Sequence, residues 1–349
     1  LLYCVKFKSN QSFFQFMKKQ ERKQEIFILL TLVLFSVLGG MMYFGNTLLD
    51  SHAHMQLYYT IEQQELIEFF DADISILGVL TRPIAVLPVF LFTPFLDIFS
   101  AWATMNLILY ILSSILLYYT LKRFFDTRVA FIAGILFAVS LPTIVWGTRI
   151  LSEIHGYFFA LLGIYLIELL LKKDKASSYL IISLYLCFAT LIRENVFVLY
   201  PYLALTILYK NKFNIMGYIK NIWKYFILAL SLLSSQIWTF FLTGKSIVGN
   251  RMNHYMPNRF TLSGLMTIVP RTIITFHIGW FYFLIGLFAK KTKAQKEFYV
   301  KVLLSAGLFV AISYTNSLYS PRSVFMLFPA VLAASAVGII VLSNKCSKY

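Results

Sequence analysis

Apolar residues do not alternate with polar ones along this chain. They come in blocks of 15–23 residues, separated by short polar stretches. A helix rises about 1.5 Å per residue, so roughly 20 residues cross the hydrocarbon core of a bilayer. Ten runs fit: 26–44, 101–121, 128–145, 152–171, 177–191, 195–209, 222–242, 267–289, 299–315 and 322–343. An eleventh, 83–96, is shorter and carries Pro83, Pro88 and Pro94. Each proline removes a backbone donor, which is expensive in lipid. The pattern predicts an all-α polytopic membrane protein with about ten transmembrane helices. The first loop adds amphipathic or re-entrant helices.

Composition agrees. Of 349 residues, 59% are apolar, 17% aromatic and only 13% charged, and the mean hydropathy is +0.74. Soluble domains carry about 25% charge. A soluble globular enzyme, a disordered chain and a disulfide scaffold are therefore excluded. Cys4, Cys187 and Cys346 form no CxxC pair, so neither zinc nor disulfides are expected. No small-residue cleavage site follows the first apolar run, so 26–44 reads as a retained span after a basic segment, 1–25.

Charge sets the orientation. With 83–96 outside the membrane and a cytoplasmic N-terminus, 23 Lys and Arg fall inside and 8 outside; letting 83–96 span gives 13 inside and 18 outside. The positive-inside rule selects the first arrangement. The chain then divides into the basic segment 1–25, one transmembrane domain over 26–343 with outer loops at 45–100 and 243–266, and a tail, 344–349. Both termini are cytoplasmic, and 83–96 is peripheral or re-entrant on the outer side. Net charge +16 is accounted for by this topology, so nucleic acid is not an expected partner.

The eight outer cations comprise seven Arg and one Lys. Arg holds phosphate or carboxylate bidentately, so an anionic ligand on the outer face is one reading and pairing with outer carboxylates is the other. Nine of the fifteen acids also fall there. Asp50, with His52 and His54 close behind, is a candidate general base. A metal site made of Asp50 with His52 or His54 is the less favoured alternative, because the two histidines are only two residues apart. Residues 52–70 read as an interfacial helix with Met55, Tyr58, Tyr59, Leu66, Phe69 and Phe70 on one face. Asp71-Ala72-Asp73 reads as a solvated turn after it. Arg149 and Glu153 stand at i,i+4, the spacing of an ion pair, and His155 follows on the same rim. Arg193-Glu194 joins two runs of 15 residues, each about 22 Å long. That turn should lie below the surface, where ionisable groups are functional candidates. Arg251, His254 and Arg259 in the second long loop suit an anionic head group or a sugar face, and Arg82 and Arg322 complete the set.

Four features in order resemble the GT-C superfamily of integral-membrane glycosyltransferases, which includes protein O-mannosyltransferases, aminoarabinose transferases and dolichol-type mannosyltransferases. Asp50 follows the first span. Arg82-Pro83 precedes an outer apolar run. Thr148-Arg149-Ile150-Leu151-Ser152-Glu153 is similar to a T-R-x-x-S stretch. Arg322 through Pro329-Ala330 looks like the late R-x-x-x-x-x-x-P-A span. One departure is that His52 and His54 stand where a second acid is usual.

The resemblance implies inverting transfer of a sugar, a hexose such as mannose, from a polyprenyl-phosphate donor. The acceptor is a hydroxyl of a glycan, lipid or protein on the non-cytoplasmic face. Arg residues would hold the leaving phosphate, Asp50 would take the proton, and no cofactor is required, with a divalent metal left open. The implied location is the bacterial inner membrane or the endoplasmic reticulum. The alternatives are a transporter or flippase, or a polymerase or ligase, for lipid-linked glycans. Transporters are usually built from internal repeats around a midplane site. Here charges crowd one side and no repeat is visible.

Overall fold

The computed structural model describes residues 2–42, 87–148, 153–173, 175–211, 216, 222–243, 279–314 and 325–347. Among them are eleven α-helices and no strand: α1 (Leu2–Met41), α2 (Ile98–Leu121), α3 (Thr127–Val139), α4 (Leu141–Gly147), α5 (Glu153–Leu170), α6 (Ala176–Thr190), α7 (Leu199–Lys210), α8 (Ile222–Thr243), α9 (Gly279–Phe288), α10 (Lys293–Tyr314) and α11 (Phe328–Cys346). With α3 and α4 counted as one interrupted rod, they correspond to the ten expected runs. Four of the described helices are long and apolar enough to cross a membrane: 20–41 within α1, α2, α5 and the helix ending at Cys346. The chain is an all-α membrane protein.

Three local details differ from the run boundaries. First, α1 does not begin at residue 26. Lys, Gln and Glu at 18–25 are good helix formers and continue it backwards from the apolar part. Second, residues 87–91 of the proline-rich run form a short 3-10 turn, too short to span. The run ends at Asp97, whose carboxylate caps α2 by accepting from the N–H groups of Phe99 and Ser100. The Ser100 hydroxyl and these N–H groups hold the Asp97 carboxyl below its ordinary range. Third, the run 128–145 is broken at Ser140. Pro142 has no N–H and displaces the carbonyl four residues earlier. The Tyr110 hydroxyl covers that carbonyl, donating to Ala138 O at 3.0 Å, and Thr143 Oγ1 donates to Ser140 O at 2.7 Å.

Packing depends on small residues, because lipid tails give apolar helices no hydrophobic reason to associate. On α1, Ile28, Leu32 and Ser36 face the bundle, whereas Phe27, Leu30, Leu34 and Leu38 face outward. Gly39 lies against the Ala138 carbonyl. The closest crossing joins α9 to α11. A Cβ at Gly286 would overlap the Ala334 carbonyl, and one at Gly338 would overlap the Tyr282 carbonyl. Ser335 Oγ donates to Gly279 O across the same contact, at 3.3 Å.

Most charges gather at one end of the bundle. Lys122 pairs with Glu25 at 2.8 Å, Lys210 donates to Leu171 O, and Lys224 sits 4.7 Å over the Tyr179 ring. Lys301 is buried at this end, 2.6 Å from Glu168 and 2.9 Å from Glu297. Tyr202 also donates to Glu168 (2.8 Å), and Arg123 donates to its carbonyl. This network ties α5, α7 and α10 to the turn after α2.

Three substitutions test the packing. Gly338→Leu should lower the melting temperature of the purified protein in detergent by many degrees or abolish folding, whereas Gly307→Ala, with open space around it, should be neutral. Tyr110→Phe should cost about 1–3 kcal/mol in an unfolding titration, the penalty for leaving a buried acceptor unsatisfied.

Candidate functional site at the opposite end

At the other end of the bundle the described residues include a buried ion pair. Helix α5 starts there with Glu153 in its first turn, where a carboxylate also meets the positive end of the helix dipole. The side chain is 1% exposed and accepts a 2.8 Å hydrogen bond from Arg193 Nη2. Arg193 arrives from the turn between α6 and α7. Helix α6 stops at Thr190, and Arg193 takes an extended conformation before a 3-10 turn over Glu194–Val198 that leads into α7. The extended residue sends its side chain inward across α5.

What admits it is Gly156. Glu153 and Gly156 lie three residues apart on one face of α5. An added Cβ at 156 would stand 2.7 Å from Arg193 Cδ, 3.2 Å from its Cβ and 3.3 Å from its Cγ. The same face continues through Ala160 to Gly163, which packs against Leu199. The α6–α7 connection therefore lies close along a stripe of small residues, with the ion pair at its top.

Other buried polar residues are Asn195, two residues after Arg193, His155 on α5, Asn106 on α2 and Thr148 at the end of α4. The His155 ring centre is 6.1 Å from that of the buried Trp102. Beneath lies an aromatic floor. Tyr157 stacks on Phe137 at 5.1 Å and meets Phe325 edge-on at 5.7 Å, and Phe325 stacks on Phe328. A narrow apolar crevice, with room for little more than a water molecule, continues below it between α5, α7, α10 and α11, lined by Tyr157, Leu161, Tyr202, Ser305 and Met326 among others.

Of the residues the sequence singled out, the structure brings Glu153 and Arg193 together. A partner of Glu153 is thus on the α6–α7 turn, 40 residues away in sequence; Arg149 lies outside the described residues. Arg193 is buried, as the shortness of the flanking runs implied. Glu194 opens the 3-10 turn. Asp50, His52, His54, Arg82, Arg149, Arg251, His254, Arg259 and Arg322 lie outside the described residues. The stretches that contain them, 43–86, 149–152, 244–278 and 315–324, follow or precede helix ends at this end of the bundle. No group of three His, Cys, Asp or Glu side chains comes together among the described residues, and the Asp50–His52–His54 alternative falls outside them.

Sequence reasoning missed Gly156, Trp102 and Asn106. It also missed the Glu168–Lys301 network at the far end. Gly156 carried a faint signal, as a helix-interior glycine three residues after a membrane-depth acid.

Residues 85–239 match the model of the dolichyl-phosphate-mannose-protein mannosyltransferase family. The match supports a GT-C glycosyltransferase. It covers less than half of the chain, but it contains α2 to α7 and nearly all of α8, and with them both partners of the buried pair. No curated protein matches the chain. For a GT-C enzyme the arrangement is chemically useful. It holds a guanidinium at depth, neutralised by a carboxylate and set above aromatic surface, where an anion meets little competition from water.

Glu153→Ala and Arg193→Ala should each destabilise the purified protein by about 3–5 kcal/mol, because each leaves a buried charge without its partner. The double variant should lose clearly less than the sum, read as a double-mutant cycle in detergent unfolding.

Proposed function

We propose that this protein is a membrane glycosyltransferase that moves a sugar, mannose in the simplest case, from a dolichyl- or other polyprenyl-phosphate donor to an acceptor hydroxyl. The observation that carries the reading is that the family match falls on the helices that build the Glu153–Arg193 pair. The family's name supplies the donor class and makes a protein the first acceptor to test.

The chemistry is a substitution at the anomeric carbon. The acceptor oxygen forms a bond to that carbon on the face opposite the phosphate, and the carbon–oxygen bond to the phosphate breaks with its electron pair. The acceptor proton passes to Asp50. The product is inverted, and the lipid phosphate leaves with one more negative charge than it carried in the ester. Arg193, with Arg149, Arg82 and Arg322 as further members of the set, is assigned to hold this phosphate. Fixed cations that meet charge developing in the transition state lower the barrier more than they tighten the ground state. The sugar lies toward Arg251, His254 and Arg259, and the prenyl tail stays in the bilayer.

The orientation follows from the lysine-rich end, which the positive-inside rule assigns to the cytoplasm. The pair then lies at the outer or lumenal side, and both termini lie inside. No metal is needed for this scheme, because the leaving group carries a single phosphate and Arg supplies the positive charge.

The test is transfer from a panel of radiolabelled polyprenyl-phosphate sugars in membranes containing wild type or Asp50→Asn, with donor binding measured alongside. Wild type should transfer at least one sugar. Asp50→Asn should bind the donor normally and lose about 10²–10⁴ in rate, the usual contribution of a positioned base. Donor binding without transfer of any sugar would sink the enzyme reading, and lipid-flipping assays in vesicles would then be decisive.

A further inference from the structure

We infer that Gly156 is a positioning residue of the anion site: its missing side chain makes the slot in which the Arg193 stem lies, and so sets where the guanidinium stands. The inference rests on the reading that Arg193 receives the donor phosphate. Three distances carry it. A methyl at 156 would meet the Cβ, Cγ and Cδ of Arg193 at 3.2, 3.3 and 2.7 Å. Only Cδ lies far enough along the side chain to swing away cheaply. The Cβ contact lies close to the backbone of the α6–α7 turn, which itself packs on α5. A methyl therefore moves the stem, and with it a guanidinium whose Nη2 now stands 2.8 Å from Glu153. Displacements of this size matter because bidentate recognition of a phosphate is directional.

Other roles for this glycine fit less well. The three atoms nearest to an added methyl all belong to one side chain, that of Arg193. Gly163, on the same face of α5, meets Leu199 and Tyr185 instead, as a plain packing glycine does. The two positions therefore separate positioning from packing. Gly156 acts through a charged side chain, whereas Gly163 acts through apolar ones.

The experiment uses the full-length chain in detergent micelles and a radiolabelled short-chain polyprenyl phosphate without sugar as the probe. Gly156→Ala should weaken probe binding about tenfold, or 1.4 kcal/mol, with the melting temperature nearly kept. Arg193→Ala should weaken it further. The double variant should bind no worse than Arg193→Ala alone, because the methyl then has no stem to move. Gly163→Ala should leave the binding constant within about twofold of wild type.

Wild-type binding by Gly156→Ala would overturn the inference while leaving the anion reading intact. So would a loss that multiplies with that of Arg193→Ala, or an equal loss in Gly163→Ala. Unchanged binding by Arg193→Ala would overturn both. Should Gly156→Ala fail to fold, recovery of folding in the double variant, to the level of Arg193→Ala, would support the slot; continued misfolding would refute it.

Discussion

A guanidinium inside a helical bundle at membrane depth has to be neutralised within the protein, and this constraint organises the structure around α5. Glu153 meets it by standing in the first turn of α5 and accepting from Arg193. For the pair to form, the α6–α7 turn must come down onto α5 closely enough for an arginine stem to cross the helix. That requires the gap left by Gly156. It also requires a connection that ends α6 early and restarts with a 3-10 turn before α7. One electrostatic requirement thus fixes the length of α6, the form of the turn and the residue sizes along α5.

The same helix meets a second such requirement at its other end, about 22 Å away along the axis. There Glu168 accepts from Lys301 and Tyr202. Glu168 thereby joins α5 to Lys301 of α10 and to Tyr202 of α7, so α5 is held by polar contacts at both ends and by small residues between. Neither ion pair is expected to add much net stability over an apolar replacement. What these contacts supply is register: α5 cannot slide along α7 by a turn without separating Glu153 from Arg193 and Glu168 from Tyr202. A fixed register is what a site made from two helices and a turn needs, because its reacting groups must keep their distances.

Much of this architecture was legible in the sequence. The ten apolar runs reappear as helices, and the shortness of 177–191 pointed to a buried Arg193. The proline-rich run was rightly separated from the spans, since three missing N–H groups leave no ladder for lipid to tolerate. Partner choice was not legible. Arg193 comes to Glu153 from 40 residues away, and tertiary approach along a glycine face is invisible to spacing rules. The break at Ser140 was missed for a related reason. Pro142 announced it, but the Tyr110 hydroxyl that makes it tolerable comes from another helix. Lys301 was counted only as one of the inside cations, because Glu297 at i,i+4 marks a surface pair as well as a buried one and the approach of Glu168 is not local.

The division of residues along the chain bears on how such a site works. The pair assigned to the anion is carried by helices and a tightly packed turn, inside the segment that matches the family. The residue proposed for proton abstraction, Asp50, precedes that segment in the sequence and lies outside the described residues. Holding a phosphate demands fixed geometry, which packed helices supply. Accepting a proton from a bulky acceptor demands access, which loops supply more readily. Glu153 adds a further consequence. Because it already neutralises Arg193, an arriving phosphate shares or exchanges a counterion instead of meeting a bare charge. On the proposed assignment the pair is neutral before an anion arrives, and its interaction with the phosphate grows as the leaving group develops charge, which is the condition for binding energy to appear in the transition state rather than the ground state.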